Sequence, residues 1–256
     1  MASLAGTADA LAVARRQMQR LPEFPGPPPA TLADAYDLQL QVQLALGGEQ
    51  VGWKIGCTSE TARRMLGADA PFGGPLPDFR IFQSGDTVPT GADAVRGVEP
   101  ELALRLGRTL VPRAAPYTVD EMLAAIDAVH PAIEIVNRRV TGAMGGPLFC
   151  VIADGAANDA LVLGEPRRLG EIADLAAVAV QAFVNDVPRT GGHSSAALGG
   201  PAQALTWLVN DLSRRGIAMP AGYVVATGLL TEFIVGQPGE RIEAVFEGVG
   251  RVTVQL

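Results

Sequence analysis

Apolar and polar side chains alternate from Val98 to Leu106 with the period of two that a β-strand imposes. Val98, Pro100, Leu102, Leu104 and Leu106 share one face; Glu99, Glu101, Ala103 and Arg105 share the other. Pro100 cannot donate to a ladder, so it predicts an edge strand or the start of one. A second strand-like run, Pro131 to Val136, holds one acid, Glu134, among β-branched neighbours. Earlier in the chain the period is helical. Leu11, Val13, Ala14, Met18 and Leu21 mark a helix over residues 8–21, and Pro22 to Pro29 breaks it. Thr31, with Asp34 three residues on, caps a second helix that runs to Leu46 and stops at Gly47-Gly48. Residues 1–48 therefore read as a helical segment, and 49–256 as a β-rich core.

Within that core, Val51 to Ser59 reads as a strand turning into a short helix, capped by Thr58 or Ser59 and ended at Gly67. Ala68 to Ser84 is rich in glycine and proline and reads as a loop, either a lid or a structured connection, with short strands around Arg80 to Phe82 and Thr87-Val88. A capping box from Thr118 to Glu121 opens a helix with Met122, Leu123, Ile126 and Val129 on its apolar side, ended by His130-Pro131. Turns and short strands are expected over 142–164. Val178 to Val184 reads as a strand entering a hairpin turn at Asn185-Asp186. Pro201 opens a helix to Arg215, and three β segments close the chain: 223–227, 241–246 and 249–256.

Composition narrows the class. At 256 residues, 48% apolar and 18% charged, the chain is long enough and apolar enough for a compact core. A net charge of −7 argues against nucleic acid as a partner, though a bound cation can still attract an anionic small molecule. No run is long enough to span a membrane, and Met1 to Ala10 lacks the basic start and apolar run of a signal peptide. Two cysteines, Cys57 and Cys150, suit a reducing compartment, so the cytoplasm is expected.

The candidate chemistry lies on the polar face of the first strand. Carboxylates at i and i+2 repel, and a hard divalent cation relieves that repulsion well. Glu134 would be costly to bury alone. Glu99, Glu101 and Glu134 thus form a candidate set around one metal, the alternative being a solvated outer face. Lys54 stands between Trp53 and Ile55 with Gly52 and Gly56 nearby, either in a pocket or solvated. Cys57 reads as a packed residue, and His130 as a helix-end partner. Arg138 and Arg139 could meet a substrate carboxylate or lie in solvent. Thr190 to Ser195 is glycine-rich but lacks the Gly-Lys-Ser/Thr of a phosphate loop. Thr231, following Gly228 at a strand end, either reaches a ligand or holds a turn.

Taken together and in order, several stretches resemble the 2-keto-4-pentenoate hydratase and 4-oxalocrotonate decarboxylase group of the fumarylacetoacetate hydrolase superfamily. They are Gly52 to Ser59, Val98 to Ala103, Ala132 to Val136, Ala153 to Asn158, Leu198 to Pro201 and Thr227 to Thr231. The resemblance implies an α+β fold with a mixed β-rich core, and Mg²⁺ or Mn²⁺ on Glu99, Glu101 and Glu134. It also implies Lys54 in the pocket and homo-oligomers. The implied reaction is addition of water to a 2-hydroxy-2,4-dienoate, a small anionic substrate, giving a 4-hydroxy-2-keto acid in aromatic catabolism. A 4-oxalocrotonate-type decarboxylase is the alternative, ahead of an acylpyruvate hydrolase or an inactive metal-binding partner subunit. Lys54, Asp69 and Thr231 are the candidate catalytic residues. Ser59, Gly191, Gly192 and Leu230 are the candidate substrate contacts. In one departure, Phe72 follows Pro71 where many hydratases of this group carry an acid; Asp69 and Asp78 are the nearby acids.

Overall fold

The structure, a computed structural model, describes residues 4–140 and 147–256. The readings that fall on 1–3 and 142–146 therefore lie outside the described residues. In chain order the helices are α1 (Leu4–Arg16), α2 (Leu32–Leu46), α3 (Glu60–Leu66), α4 (Val119–Leu123), α5 (Leu148–Ala153) and α6 (Pro201–Arg214). The strands are β1 (Gln50–Gly56), β2 (Phe72–Pro77), β3 (Ile81–Gln83), β4 (Arg96–Leu106), β5 (Ile126–Val136) and β6 (Asn158–Leu163). They continue as β7 (Ala179–Val184), β8 (Val187–His193), β9 (Val224–Ala226), β10 (Ile234–Gly236), β11 (Arg241–Phe246) and β12 (Gly250–Gln255).

Eight strands form one mixed sheet in the order β2-β1-β9-β4-β5-β6-β3, with β10 also paired to β4. The other four form an antiparallel sheet, β12-β11-β7-β8. The apolar face of β4 and β5 (Val98, Leu102, Leu104, Ile133, Ile135) joins Ile242, Phe246, Val252 and Val254 of the second sheet and Leu205, Leu208 and Leu212 of α6 in the main core. This burial face is the one that the alternation from Val98 to Leu106 points to.

The opposite face carries the polar chemistry. Register places Lys54, Ala226, Ala103 and His130 in one row across β1, β9, β4 and β5. Glu101 stands opposite Ala132, and Glu99 opposite Glu134. The small side chains of Ala226 and Ala103 leave room for the long lysine to lie across the sheet toward the acids.

Five sequence expectations change. The helix read over 8–21 is α1 and ends at Arg16; Met18 has a φ of 53° and Leu21 pairs with Val140. Residues 72–77 are neither lid nor loop but the buried strand β2, antiparallel to β1. It is the outermost strand of the sheet, where Pro75 and Pro77 are tolerated. The helix expected to reach Val129 stops at Leu123, and Ile126, Val129 and His130 belong to β5. His130 is thus mid-strand, its Nδ1 2.9 Å from the carbonyl oxygen of Gly164. Residues 148–153, expected as turns and strands, form α5, because a six-residue apolar run does not reveal its period. Pro100 is not at an edge: β4 is central. Its carbonyl accepts from Leu230 N (3.1 Å), so its missing donor faces the gap that β9 and β10 leave along β4.

Local signals hold elsewhere. Thr31 and Asp34 form the expected capping box, Ser59 caps α3, and Gly67 ends it in the left-handed conformation. Asn185 and Asp186 both take positive φ in the β7–β8 turn. Among the described residues no helix is long and apolar enough to cross a membrane.

Candidate metal centre

Glu99 and Glu101 reach one side of β4 because they are two residues apart on a strand, and β5 sets Glu134 directly across from Glu99. One oxygen from each of the three carboxylates lies within 4.8 Å of the others. Glu101 and Glu134 are fully buried and Glu99 is partly buried. The solvated-face alternative therefore fails for these acids.

Each buried acid is held by specific donors. The Lys54 ammonium lies 3.2 Å from Glu134 Oε2 and donates to the carbonyl of Ala156 (3.3 Å). Asn158 Nδ2 donates to Glu134 Oε1 (2.9 Å), and the Gly228 amide donates to Glu101 Oε2 (2.7 Å). Gly228 has a φ of +108°, and a side chain there would collide with Thr58, so this close amide requires glycine. Glu101 Oε1 has no hydrogen-bond partner, and Glu134 Oε2 has only its ion pair with Lys54.

The electrostatics match this crowding. Burial, then repulsion from Glu134, raises the Glu99 carboxyl to about 7, against the pull of Lys54. Burial, then Glu134 and Glu99, raises Glu101 well above the usual carboxylate range. Burial alone would lower Lys54, but Glu134, Glu99 and Glu101 outweigh it and hold the ammonium charged. Cys57 is pushed up to about 11, chiefly by burial, so its thiol is a packed group rather than a nucleophile.

Fully ionised, three carboxylates against one ammonium would leave two uncompensated negative charges, which is what holds protons on Glu99 and Glu101 without a cation. That balance, together with the unpartnered buried Oε1 of Glu101 and an all-oxygen donor set, fits one hard divalent cation.

The remaining candidates fall at different distances from this cluster. Leu230 is buried with its amide on the Pro100 carbonyl, and Gly192 packs against the Leu230 carbonyl, so this pair flanks the acidic strand. Thr231 follows; its hydroxyl donates to the carbonyl of Glu232 (2.9 Å). Gly191 is exposed on β8. Ser59 Oγ accepts from Ala62 N (3.1 Å) as the α3 cap. Asp69 is exposed on the loop after α3. Asp78 is also exposed, bonded to Glu49 N at the start of β1. Phe72 is buried over Gly56, in an apolar cluster with Cys57, Val151, Ile152 and Ala156.

Arg139 is neither solvated nor free for a substrate. Its Nε pairs with Asp154 Oδ1 (2.9 Å), and its Nη2 donates to the Asp154 carbonyl (2.8 Å). Arg80 pairs with Asp159 (3.2 Å). Arg15, from α1, is buried beside them and lowered to about 9, first by burial and then by Arg139.

Sequence reasoning did not assign roles to Asn158, Ala156 or Gly228. Two of these act through backbone atoms, which leave no side-chain signature. The signal for Asn158 was a polar pair, Asn158-Asp159, opening an otherwise apolar strand.

Residues 79–256 match the family model described as fumarylacetoacetate (FAA) hydrolase C-terminal. The chain is 33% identical over 234 residues to a 2-hydroxyhexa-2,4-dienoate hydratase of Comamonas testosteroni, covering 90% of this chain and 88% of that one. It is 34% identical over 236 residues to a 2-keto-4-pentenoate hydratase of Paraburkholderia xenovorans, covering 90% and 85%. The fold is similar to that of 4-oxalocrotonate decarboxylase from Pseudomonas putida G7, solved with magnesium and adipate. The TM-score is 0.87 and the identity 27%, covering 98% of this chain and 96% of that one.

Proposed function

This chain belongs to the fumarylacetoacetate hydrolase family, and from that premise we propose that it is a divalent-metal-dependent hydratase of 2-hydroxy-2,4-dienoates. The observation that carries this reading is the buried triad of Glu99, Glu101 and Glu134 beside Lys54. Those three acids hold Mg²⁺ or Mn²⁺. The cation, when bound, supplies a positive centre for the substrate carboxylate and for charge developing on the neighbouring 2-oxygen.

The chain's own groups then have defined tasks. Substrate ketonises as a proton leaves the 2-hydroxyl and one is delivered to the far end of the diene. This moves the double bond into conjugation with the 2-keto group. Water adds at C4 and a proton at C3, giving the 4-hydroxy-2-keto acid. The Lys54 ammonium, kept charged by the acids, serves the oxygen that gains charge as a hydrogen-bond donor and stabilises that charge. The loop through Gly228, Leu230 and Thr231, backed by Gly191 and Gly192, lies along the acidic strand and positions the substrate. In this reading Ser59, next in sequence to the Thr58 that packs on Gly228, contacts the substrate, and the exposed Asp69 is the proton carrier from solvent. The chain acts as a homo-oligomer, supported by the apolar Leu32, Leu40 and Leu44 left exposed on α2. It works in the cytoplasm, supported by two free cysteines.

Similarity to the decarboxylase, and Phe72 in place of an acid, keep one second reading: loss of carbon dioxide from 4-oxalocrotonate. Both reactions are followed by ultraviolet absorbance of 2-hydroxypenta-2,4-dienoate or 4-oxalocrotonate with metal-stripped protein, with and without Mg²⁺. Metal-dependent formation of a 4-hydroxy-2-keto acid is expected. Carbon dioxide release without hydration would establish the second reading.

A further inference from the structure

We propose that Asn158 is a positioning residue for Glu134, and that Arg15 of α1 holds Asn158 in place. The inference rests on the metal-centre reading given under Proposed function. Asn158 is fully buried at the start of β6, and its Nδ2 donates to Glu134 Oε1 (2.9 Å). Glu134 Oε2 is thereby left facing Lys54. The amide ties back one carboxylate oxygen and leaves the other to Lys54, which fixes the orientation of the carboxylate. Partners of this kind, which hold a ligand rather than the ion, commonly change metal affinity tenfold to a hundredfold.

The segment before Asn158 does not hold its own shape. Gly155, Ala156 and Ala157 are consecutively left-handed, with φ of 66°, 58° and 60°. Alanine disfavours that conformation, so neighbouring contacts must impose it. Arg15 supplies them from 143 residues away in sequence: its Nη2 donates to the Asn158 carbonyl (3.2 Å). Its Nη1 lies flat on Gly155, where an added Cβ would come within 2.5 Å. Asp154, at the other end of the turn, is fixed by Arg139. The same turn presents the Ala156 carbonyl to Lys54. One buried guanidinium from the N-terminal helices thus clamps the turn that orients both Glu134 and Lys54.

The test is calorimetric titration of Mn²⁺ into metal-stripped full-length protein. Wild type, Asn158→Leu, Arg15→Met and the double variant are compared, with circular dichroism and thermal midpoints taken without metal. Wild type is expected to bind one Mn²⁺ per chain; no binding would overturn the metal-centre reading itself. Asn158→Leu keeps the branched shape but loses the donor, and is expected to bind Mn²⁺ about 10–100-fold more weakly while folded. Wild-type affinity in that variant would overturn the positioning role, since a packing role lowers the midpoint without changing affinity of the folded state. Should Asn158→Leu not fold, the smaller Asn158→Ser carries the same expectation. Arg15→Met is expected to weaken binding, and the double variant to lose clearly less than the sum of the two single losses. Additive losses would mean that Arg15 does not act through Asn158.

Discussion

At the scale of single residues, Glu101 shows how the site trades stability for charge. It is fully buried, next to two other acids, and answered by one amide hydrogen bond and a lysine shared with Glu134. Its neutral form is favoured in the metal-free protein, as is that of Glu99. A carboxyl raised on folding contributes stability below its unfolded pKa, and that contribution is lost as pH rises through the folded value. The metal-free protein should therefore lose thermal stability as pH climbs toward and past about 7, the value for Glu99. Mn²⁺ affinity should rise over the same interval as protons cease to compete. Titrations from pH 5.5 to 8.5 check both signs, and an affinity that falls with pH would contradict them. Glu101→Gln should flatten the pH slope and raise the metal-free midpoint at pH 8, while lowering turnover about 10²–10³-fold. The triad and Lys54 were legible because Glu-x-Glu on one strand face and a lone acid in a β-branched run are side-chain patterns. The Gly228 amide and the Ala156 carbonyl were not, since their roles depend on backbone direction set by distant contacts.

At the scale of elements, signals with a specific local mechanism read correctly. The Thr31 cap, the Ser59 cap and the Asn185-Asp186 turn each depend on residues within a few positions. Thr31→Ala should cost about 1 kcal/mol in denaturant unfolding, with kcat unchanged, because the cap is exposed. The misread elements are those decided by tertiary packing. β2 carries two glycines and two prolines, and only its place at the sheet edge beside β1 makes it a strand. Met122, Ile126 and Val129 fit a helical period, yet pairing with β4 claims the last two for β5. Phe72 opens β2 and fills the apolar cluster beside Cys57 and Ala156. Phe72→Ala should cost about 3–5 kcal/mol, read in the same unfolding experiment. A loss under 1 kcal/mol would mean that β2 is not anchored by this side chain.

At the scale of the whole molecule, the two faces of the eight-stranded sheet divide the work. One face builds the core with the second sheet and α6, and the other gathers three acids and a lysine over small alanines. Folding therefore gathers three carboxyl groups beside one ammonium at one buried place, where a bound divalent ion favours the deprotonated forms of Glu99 and Glu101. A ligand that binds only the folded state stabilises it by about 2.7 kcal/mol at a hundred times its Kd, so the melting midpoint should rise with added Mg²⁺. The measurement that bears most directly on the centre is turnover of 2-hydroxypenta-2,4-dienoate by metal-stripped protein as Mg²⁺ is added back. Activity near zero without metal, restored to a plateau by Mg²⁺ in wild type but not in Glu134→Gln, is the expected result. Full turnover without metal, or undiminished turnover in folded Glu134→Gln, would contradict it.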